Sequence, residues 1–222
     1  MDKENALKIM INAACLYRDN FVGKKLLVVF GDEMKPDFIE IKASGENFIH
    51  LAGVKTSIAA GDFYSRLLDK RVSKDDFSFK EDGTSELKLS VIESILNIKS
   101  SAQMFGDYNG GKPKLFTRRL MGNISACIGF VPAGSTYFVP NTILKGDIRD
   151  YIPKGKQRVF VILAKSLKAV EYDHIVKVAK KICSDDILAK ITLKVKIADS
   201  ILCHDRNKAA EGTSGDLTNN MQ

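Results

Sequence analysis

The sequence predicts an α+β domain: N-terminal helices packed on an antiparallel β-meander, with an additional β region near the N-terminus. Three observations lead there. Apolar residues recur at helical spacing through residues 2–19. Four short runs between residues 115 and 164 are strand-like instead and are parted by turn residues. The helical and strand segments also lack the βαβ alternation of a doubly wound sheet. The 222 residues suit one domain, taken as 1–203. Residues 204–222 are polar and rich in Gly, Ser and Asn, as in a flexible tail.

In the first helix Ala6, Ile9, Met10, Ala13, Leu16 and Tyr17 make one apolar face, and Asp2 and Glu4 stand where acids suit the helix dipole. A β region follows in three pieces. Residues 25–30 are an apolar run. Residues 37–43 alternate, with Ile39, Ile41 and Ala43 opposed to Glu40 and Lys42, and Phe38 as the exception. Residues 47–54 are the third piece. Residues 57–71 read as a second helix, with Ile58, Phe63, Leu67 and Leu68 on one side; residues 72–80 read as a short helix or turn. A third helix is expected over 84–99, capped by Thr84, Ser85 and Glu86 and striped by Leu87, Val91, Ile92, Ile95 and Leu96. Asp107 to Lys112 is a loop signal. The meander strands are 115–120, 125–131, 136–139 and 158–164, with a polar connection over 147–155. A helix over 172–183 and a strand over 187–198, from the alternation of Ile191, Leu193, Val195 and Ile197, complete the chain.

Composition narrows the class. A hydrophobic fraction of 45% and a charged fraction of 27% fit a folded globule. No apolar run approaches the ~20 residues of a membrane helix, and Met1-Asp2-Lys3-Glu4-Asn5 lacks the apolar centre of a signal peptide, so a soluble cytoplasmic protein is expected. Cys15, Cys127, Cys183 and Cys203 form no CxxC, and His50, His174 and His204 form no HxxxH. Neither a metal site nor a cofactor is expected, and the cysteines should stay reduced. Cys15 and Cys127 read as small core residues. No Walker A loop, GxGxxG or GxSxG is present.

Charge is uneven. Net charge is +7, from 34 Lys and Arg against 27 Asp and Glu. Residues 154–196 alone hold eleven basic residues against four acidic ones, which accounts for the surplus. Residues 108–146 contain no acid at all, yet hold Lys112, Lys114, Arg118, Arg119 and Lys145 with Tyr108, Phe116, Phe130, Tyr137 and Phe138 interleaved. Such a face suits a phosphate-bearing strand, because bases stack while cations hold the backbone. It also suits a solvated surface over an aromatic core.

Within this frame His50 stands out, between Ile49 and Leu51 and close to Gly53. Read as strand, it shares a face with Phe48 and Ala52. It is either a core histidine with a backbone partner or a general acid or base, since its pKa lies near neutrality. Tyr137-Phe138-Val139-Pro140-Asn141-Thr142 ends a strand on proline. Asn141 and Thr142 are placed to donate to a phosphate oxygen or to cap the next element. Arg118 and Arg119 point to opposite faces of a strand, so one of them reaches a given site. Ser125 is a weaker candidate. If the chain cleaves phosphodiesters, the absence of acid pairs here favours a metal-free route.

Six segments in order, ENFIHLAGV, DFYSRLLDKR, TSELKLSVIESILNI, GDYNGGKPKLFTRRL, SACIGF and YFVPNTILKGDIRD, resemble the phage-associated barnase/EndoU/colicin/RelE-like nuclease domains of the type-four group over roughly residues 2–180. The resemblance implies a barnase/RelE-like nuclease core and a metal-independent RNase of phage or prophage origin, acting in the bacterial host cytoplasm. RNA would be the partner, cleaved by 2′-hydroxyl attack on the adjacent phosphate. It implies His50 as acid or base and Arg118 or Arg119 as phosphorane stabiliser. Tyr137, Asn141 and Thr142 would line the same pocket. Independently of the resemblance, the acid-free stretch offers Lys112, Lys114, Ser125 and Lys145 as nucleic-acid-binding residues. Only one histidine falls in a motif, so the second proton-transfer group must be Tyr137, a lysine or the substrate. Two further readings remain beside a toxin-like nuclease. One is a non-catalytic binder of nucleic acid or a host protein on the same scaffold. The other is an inhibitor of a host defence protein.

Overall fold

The computed structural model describes residues 1–111, 113–152 and 155–203. The tail expected at 204–222, with His204, and Lys112 lie outside the described residues. Helix α1, Lys3–Asn20, starts at Asp2, whose carboxylate accepts from the Asn5 N–H at 2.7 Å. Its buried residues Ala6, Met10, Ala13, Ala14 and Tyr17 follow the helical period. Strands β1, Lys24–Gly31, and β2, Pro36–Lys42, form a hairpin in which Val28 faces Ile39 and Leu26 faces Ile41. A 3-10 turn, Gly45–Asn47, leads into α2, Phe48–Ala52; α3 is Ala60–Leu68. Three short helices follow: α4 (Thr84–Leu89), α5 (Ile92–Leu96) and α6 (Ile98–Ser101). Then come β3 (Met104–Asp107), β4 (Arg119–Gly122), β5 (Ala126–Ala133) and β6 (Tyr137–Lys145). The last described elements are α7 (Ile148–Tyr151), β7 (Gln157–Ser166), β8 (His174–Val178), α8 (Ser184–Ala189) and α9 (Asp199–Leu202).

The eight strands form one sheet in the order β1-β2-β6-β5-β4-β3-β7-β8, and an additional β1–β7 pairing returns it to its first strand. Among the described strand pairs β2 and β6 run parallel, meeting at Ile41 and Phe138, and the others are antiparallel. Its two faces are covered differently. Leu26, Val28, Phe30, Ile39, Phe105, Ile128, Phe130 and Ile143 share the large core with α1 to α5. On the opposite face, Leu27, Val29, Phe160, Val161 and Leu163 pack under Tyr172, Ile187, Leu188 and Ile191 of the C-terminal segment. A third cluster, Leu120, Cys127 and Leu144, is closed by Ile148 and Ile152 around α7.

The α+β class and the helices-on-sheet arrangement agree with the sequence, and four local expectations are corrected. Residues 47–54 are turn and helix, not strand: Phe48, Leu51 and Ala52 bury on a helical period, and the αL conformation of Gly53 (φ 68°) ends the helix. Residues 172–183 contain β8 rather than a helix, and 187–198 opens in α8 rather than a strand, with Leu193 almost fully exposed. The helix expected over 84–99 is three pieces, so its apolar phase resets and Leu87 turns outward at 52% exposure. Strand β3, unforeseen, lies between β4 and β7, so the last expected meander strand joins the sheet through β3 and not beside β6. Phe38 is no irregularity: it packs with the second cluster, because that face of β2 is also covered.

Candidate active site

The aromatic cluster of the N-terminal layer fixes where α2 lies. Tyr17 stacks on Phe21 at 5.4 Å and meets Phe48 at 5.6 Å, while Phe48 meets Tyr64 at 5.4 Å. Asn47 locks the entry turn, its Oδ1 accepting from the Ser44 N–H at 2.9 Å and Oγ at 3.1 Å. With Phe48 and Leu51 fixed in the core, Ile49 and His50 are left to face a cleft of about 570 Å³.

Three segments beside α2 complete one wall. Lys55 and Ser78 exchange backbone hydrogen bonds of 2.8 Å each, which brings the chain after α2 alongside residues 76–80. The fully buried Ser85 hydroxyl accepts from the Lys80 N–H at 2.8 Å and donates to the Gly53 carbonyl at 2.7 Å. That single side chain ties the end of α2, residue 80 and α4 together. Lys88 of α4 then crosses to donate from Nζ to the His50 carbonyl at 2.7 Å. Gly53 makes the crossing possible: a Cβ there would stand 2.6 Å from Lys88 Cδ.

The opposite wall is β6 with the chain before β4. Asn141 and Thr142 line it with Leu115 and Phe116. The Asn141 amide donates to the Phe116 carbonyl, which holds that exposed phenylalanine over the cleft. Asn141 Oδ1 is buried with no partner among the described residues. Thr142 is 5% exposed and packs against Gly129, where a Cβ would come within 2.7 Å of its methyl. The cleft continues into a second pocket of about 390 Å³, with Lys80, Lys88, Leu115 and Thr142 common to both and Leu87, Pro113, Leu144, Lys145 and Tyr151 beyond.

Electrostatically the cleft is one-sided. Among the described residues, Lys55, Lys80, Lys88 and His50 line its main chamber with no carboxylate beside them, and Asp82 is the one acid of the adjoining pocket. Lys55 does reach outward to Glu81 at 3.5 Å, an exposed pair of small consequence. Burial pushes the Lys88 ammonium down to about 8, and Lys80 adds to this against a smaller opposing effect of Asp82. Partial burial also holds the His50 imidazole below its ordinary value, helped by the charges of Lys88 and Lys80. The shift favours the neutral form of His50, while Lys88 exchanges its proton near pH 8. Among the described residues no group of three His, Cys, Asp or Glu side chains is placed to hold a metal ion.

The sequence candidates divide. His50, Asn141 and Thr142 converge in this cleft, and Lys145 stands at its extension. Tyr137 does not join them. It begins β6, five residues and so about 17 Å of strand from Thr142. It lines a separate depression with Phe38, and the Lys42 ammonium lies 5.4 Å over its ring. Arg119 pairs with Asp107 across β3 and β4 and lies 5.9 Å over Phe105. The acid-free stretch thus meets its carboxylate in space rather than in sequence. Arg118, exposed, engages Phe130 and Tyr108 through its backbone and does not line the cleft. Ser125 sits in the exposed turn before β5, held by Asn123 Oδ1 at 2.8 Å. Lys114 is exposed and outside the cleft lining. Sequence pattern does not single out Lys55, Lys80 or Lys88.

Residues 9–181 match the sequence model of the family described as phage-Barnase-EndoU-ColicinE5/D-RelE like nuclease4. No curated protein and no solved structure matches the chain. No described helix is long and apolar enough to cross a membrane. The matched span covers both walls of the cationic cleft, and the chain belongs to this family of phage barnase/EndoU/colicin/RelE-like nucleases.

Proposed function

We propose that this nuclease is a metal-independent endoribonuclease of phage or prophage origin that acts on RNA in the cytoplasm of its bacterial host. His50 and Lys88 are its proton-transfer pair. The observation that carries the reading is their juxtaposition: a histidine whose neutral form is favoured and a half-buried lysine, hydrogen-bonded through the His50 carbonyl, in a cleft whose main chamber has no carboxylate among its described residues. Neutral His50 takes the proton of the ribose 2′-hydroxyl as its oxygen bonds to phosphorus. The P–O5′ bond breaks, and the Lys88 ammonium gives its proton to the departing 5′-oxygen. Lys55 and Lys80 offset the charge that gathers on the phosphorane oxygens, and Thr142 donates to one of them. The products are a 2′,3′-cyclic phosphate end and a 5′-hydroxyl end.

The direct test is incubation of purified protein with RNA in EDTA, followed by end analysis. Cleavage with cyclic phosphate ends is expected. Intact RNA after prolonged incubation at high protein concentration sinks the reading, and salt-sensitive binding without turnover would leave a nucleic-acid-binding protein on a nuclease scaffold. His50→Ala is expected to lower kcat by about 10²–10⁴-fold with an unchanged circular dichroism spectrum.

A further inference from the structure

A second cationic cavity, of about 510 Å³, shares no residue with the cleft. It arises from the way the sheet divides. Strands β3 and β8 pair with the same edge of β7, β3 at Gln157 and Arg158, β8 from Val161 to Ala164. Between them the Val159 N–H donates to the Gln103 carbonyl at 3.0 Å and the Ala179 N–H to the Phe160 carbonyl at 2.7 Å, so the two strands leave β7 on either side of a fork. Lys99 and Gln103 stand on one prong, Lys177 and Lys180 on the other, and Arg158 on the β7 edge between them. The Arg158 guanidinium donates to the Lys180 carbonyl, which anchors it at the fork.

Among the described residues no carboxylate lines this cavity, and none of its four cations belongs to an ion pair. Lys177 is half-buried there, and loss of water holds its ammonium below the ordinary lysine range with no acid to compensate. A half-buried cation without a counterion is unfavourable in the empty protein and is relieved by an anion. Arg158, Lys177 and Lys180 also belong to the segment that carries the chain's whole positive surplus, which the cleft leaves unused.

We propose that the fork between β3 and β8 is an exosite that binds a backbone phosphate of a long RNA while the RNA is cut in the cleft. The proposal rests on RNA as the substrate. It does not depend on which groups transfer protons.

The test is Lys99→Gln, Lys177→Gln and the double variant, each compared with the native chain. Lys99 is exposed on α6, so its variant keeps the test sharp if Lys177→Gln disturbs folding. Binding of a long single-stranded RNA is measured against salt, alongside cleavage of that RNA and of a dinucleotide. Inorganic pyrophosphate serves as a small-anion probe. In the double variant the slope of log affinity against log salt is expected to fall by about 0.7 for each phosphate that the fork no longer neutralises. KM for the long RNA should rise several-fold, with kcat and dinucleotide cleavage unchanged. Unchanged salt slope and KM in both single variants overturn the proposal. So does loss of pyrophosphate binding with RNA affinity intact, which would assign the fork to a free anion. If the native chain binds RNA but never cuts it, a reduced slope still supports the exosite while the ribonuclease reading fails.

Discussion

Lys88 shows how much one side chain can owe to its surroundings. An ordinary lysine stays protonated at any physiological pH and is a poor proton donor; this one titrates at about 8 because α4 and the cleft take its ammonium out of water. With His50 as base and Lys88 as acid, kcat/KM should be bell-shaped in pH. It falls on the acid side as His50 gains a proton, below the usual histidine range, and on the alkaline side as Lys88 loses one near pH 8. A pH–rate profile on a dinucleotide checks both limbs, and an alkaline limb near 10 would remove Lys88 from the reaction. The same shift bears on stability. Lys88 has a folded-state pKa below the unfolded value of 10.5, so between about pH 8 and 10.5 the unfolded chain holds more protons and stability rises with pH. Below pH 8 the full cost of the buried charge is present. Lys88→Met should therefore lose activity yet raise the melting temperature at pH 7, by a free energy on the order of 1–3 kcal/mol given about 1.4 kcal/mol per pKa unit. A fall in melting temperature would show that the Lys88 hydrogen bond to His50 outweighs its desolvation.

At the scale of elements, the site is a junction of short pieces held by two small residues. Ser85 joins α2, residue 80 and α4 through two hydrogen bonds and has no exposure at all. Ser85→Ala leaves a buried N–H and a carbonyl unmet, at about 1–3 kcal/mol. Gly53 has the sharper consequence. Alanine there meets both a left-handed φ of 68° and the Lys88 side chain. Gly53→Ala should displace Lys88 toward water, so the alkaline limb of the rate profile moves up toward an ordinary lysine value while kcat falls. An unmoved limb would mean that Lys88 does not depend on Gly53 for its place. The helices around this junction run four to nine residues, and their sequence periodicity is correspondingly weak.

Across the whole molecule, the sheet decides which basic and aromatic residues share a site. Tyr137 lies close in sequence to Asn141 and Thr142, yet it stands at the far end of β6, and Arg119 on β4 is separated from β6 by β5. Arg119→Gln and Tyr137→Phe should consequently leave kcat on a dinucleotide within about twofold, with Arg119→Gln acting on stability through the lost Asp107 pair. A large loss of kcat in Tyr137→Phe, with folding intact, would return Tyr137 to the chemistry. The two basic cavities lie on different parts of the sheet: the cleft at β6 and the fork at β7.

The sequence by itself determined the class, α+β, the family, and strands within residues 25–43, 125–139 and 158–164; the strand expected over 115–120 overlaps β4 only at its end. These follow from local periodicity and from motifs read along the chain, and residues 26–30, buried throughout, show as an unbroken apolar run. It also singled out His50, Asn141 and Thr142, though with His50 on a strand rather than a helix. Only the tertiary structure decided that these three meet, that Lys88, Lys80 and Lys55 join them, and that Arg119 and Tyr137 do not. Proximity between residue 50 and residue 141 depends on which strands pair and which side chains bury, here the Tyr17, Phe48 and Tyr64 cluster and the Ser85 tie. The depressed titration of Lys88 likewise comes from its surroundings: no sequence period marks a lysine that folding removes from water.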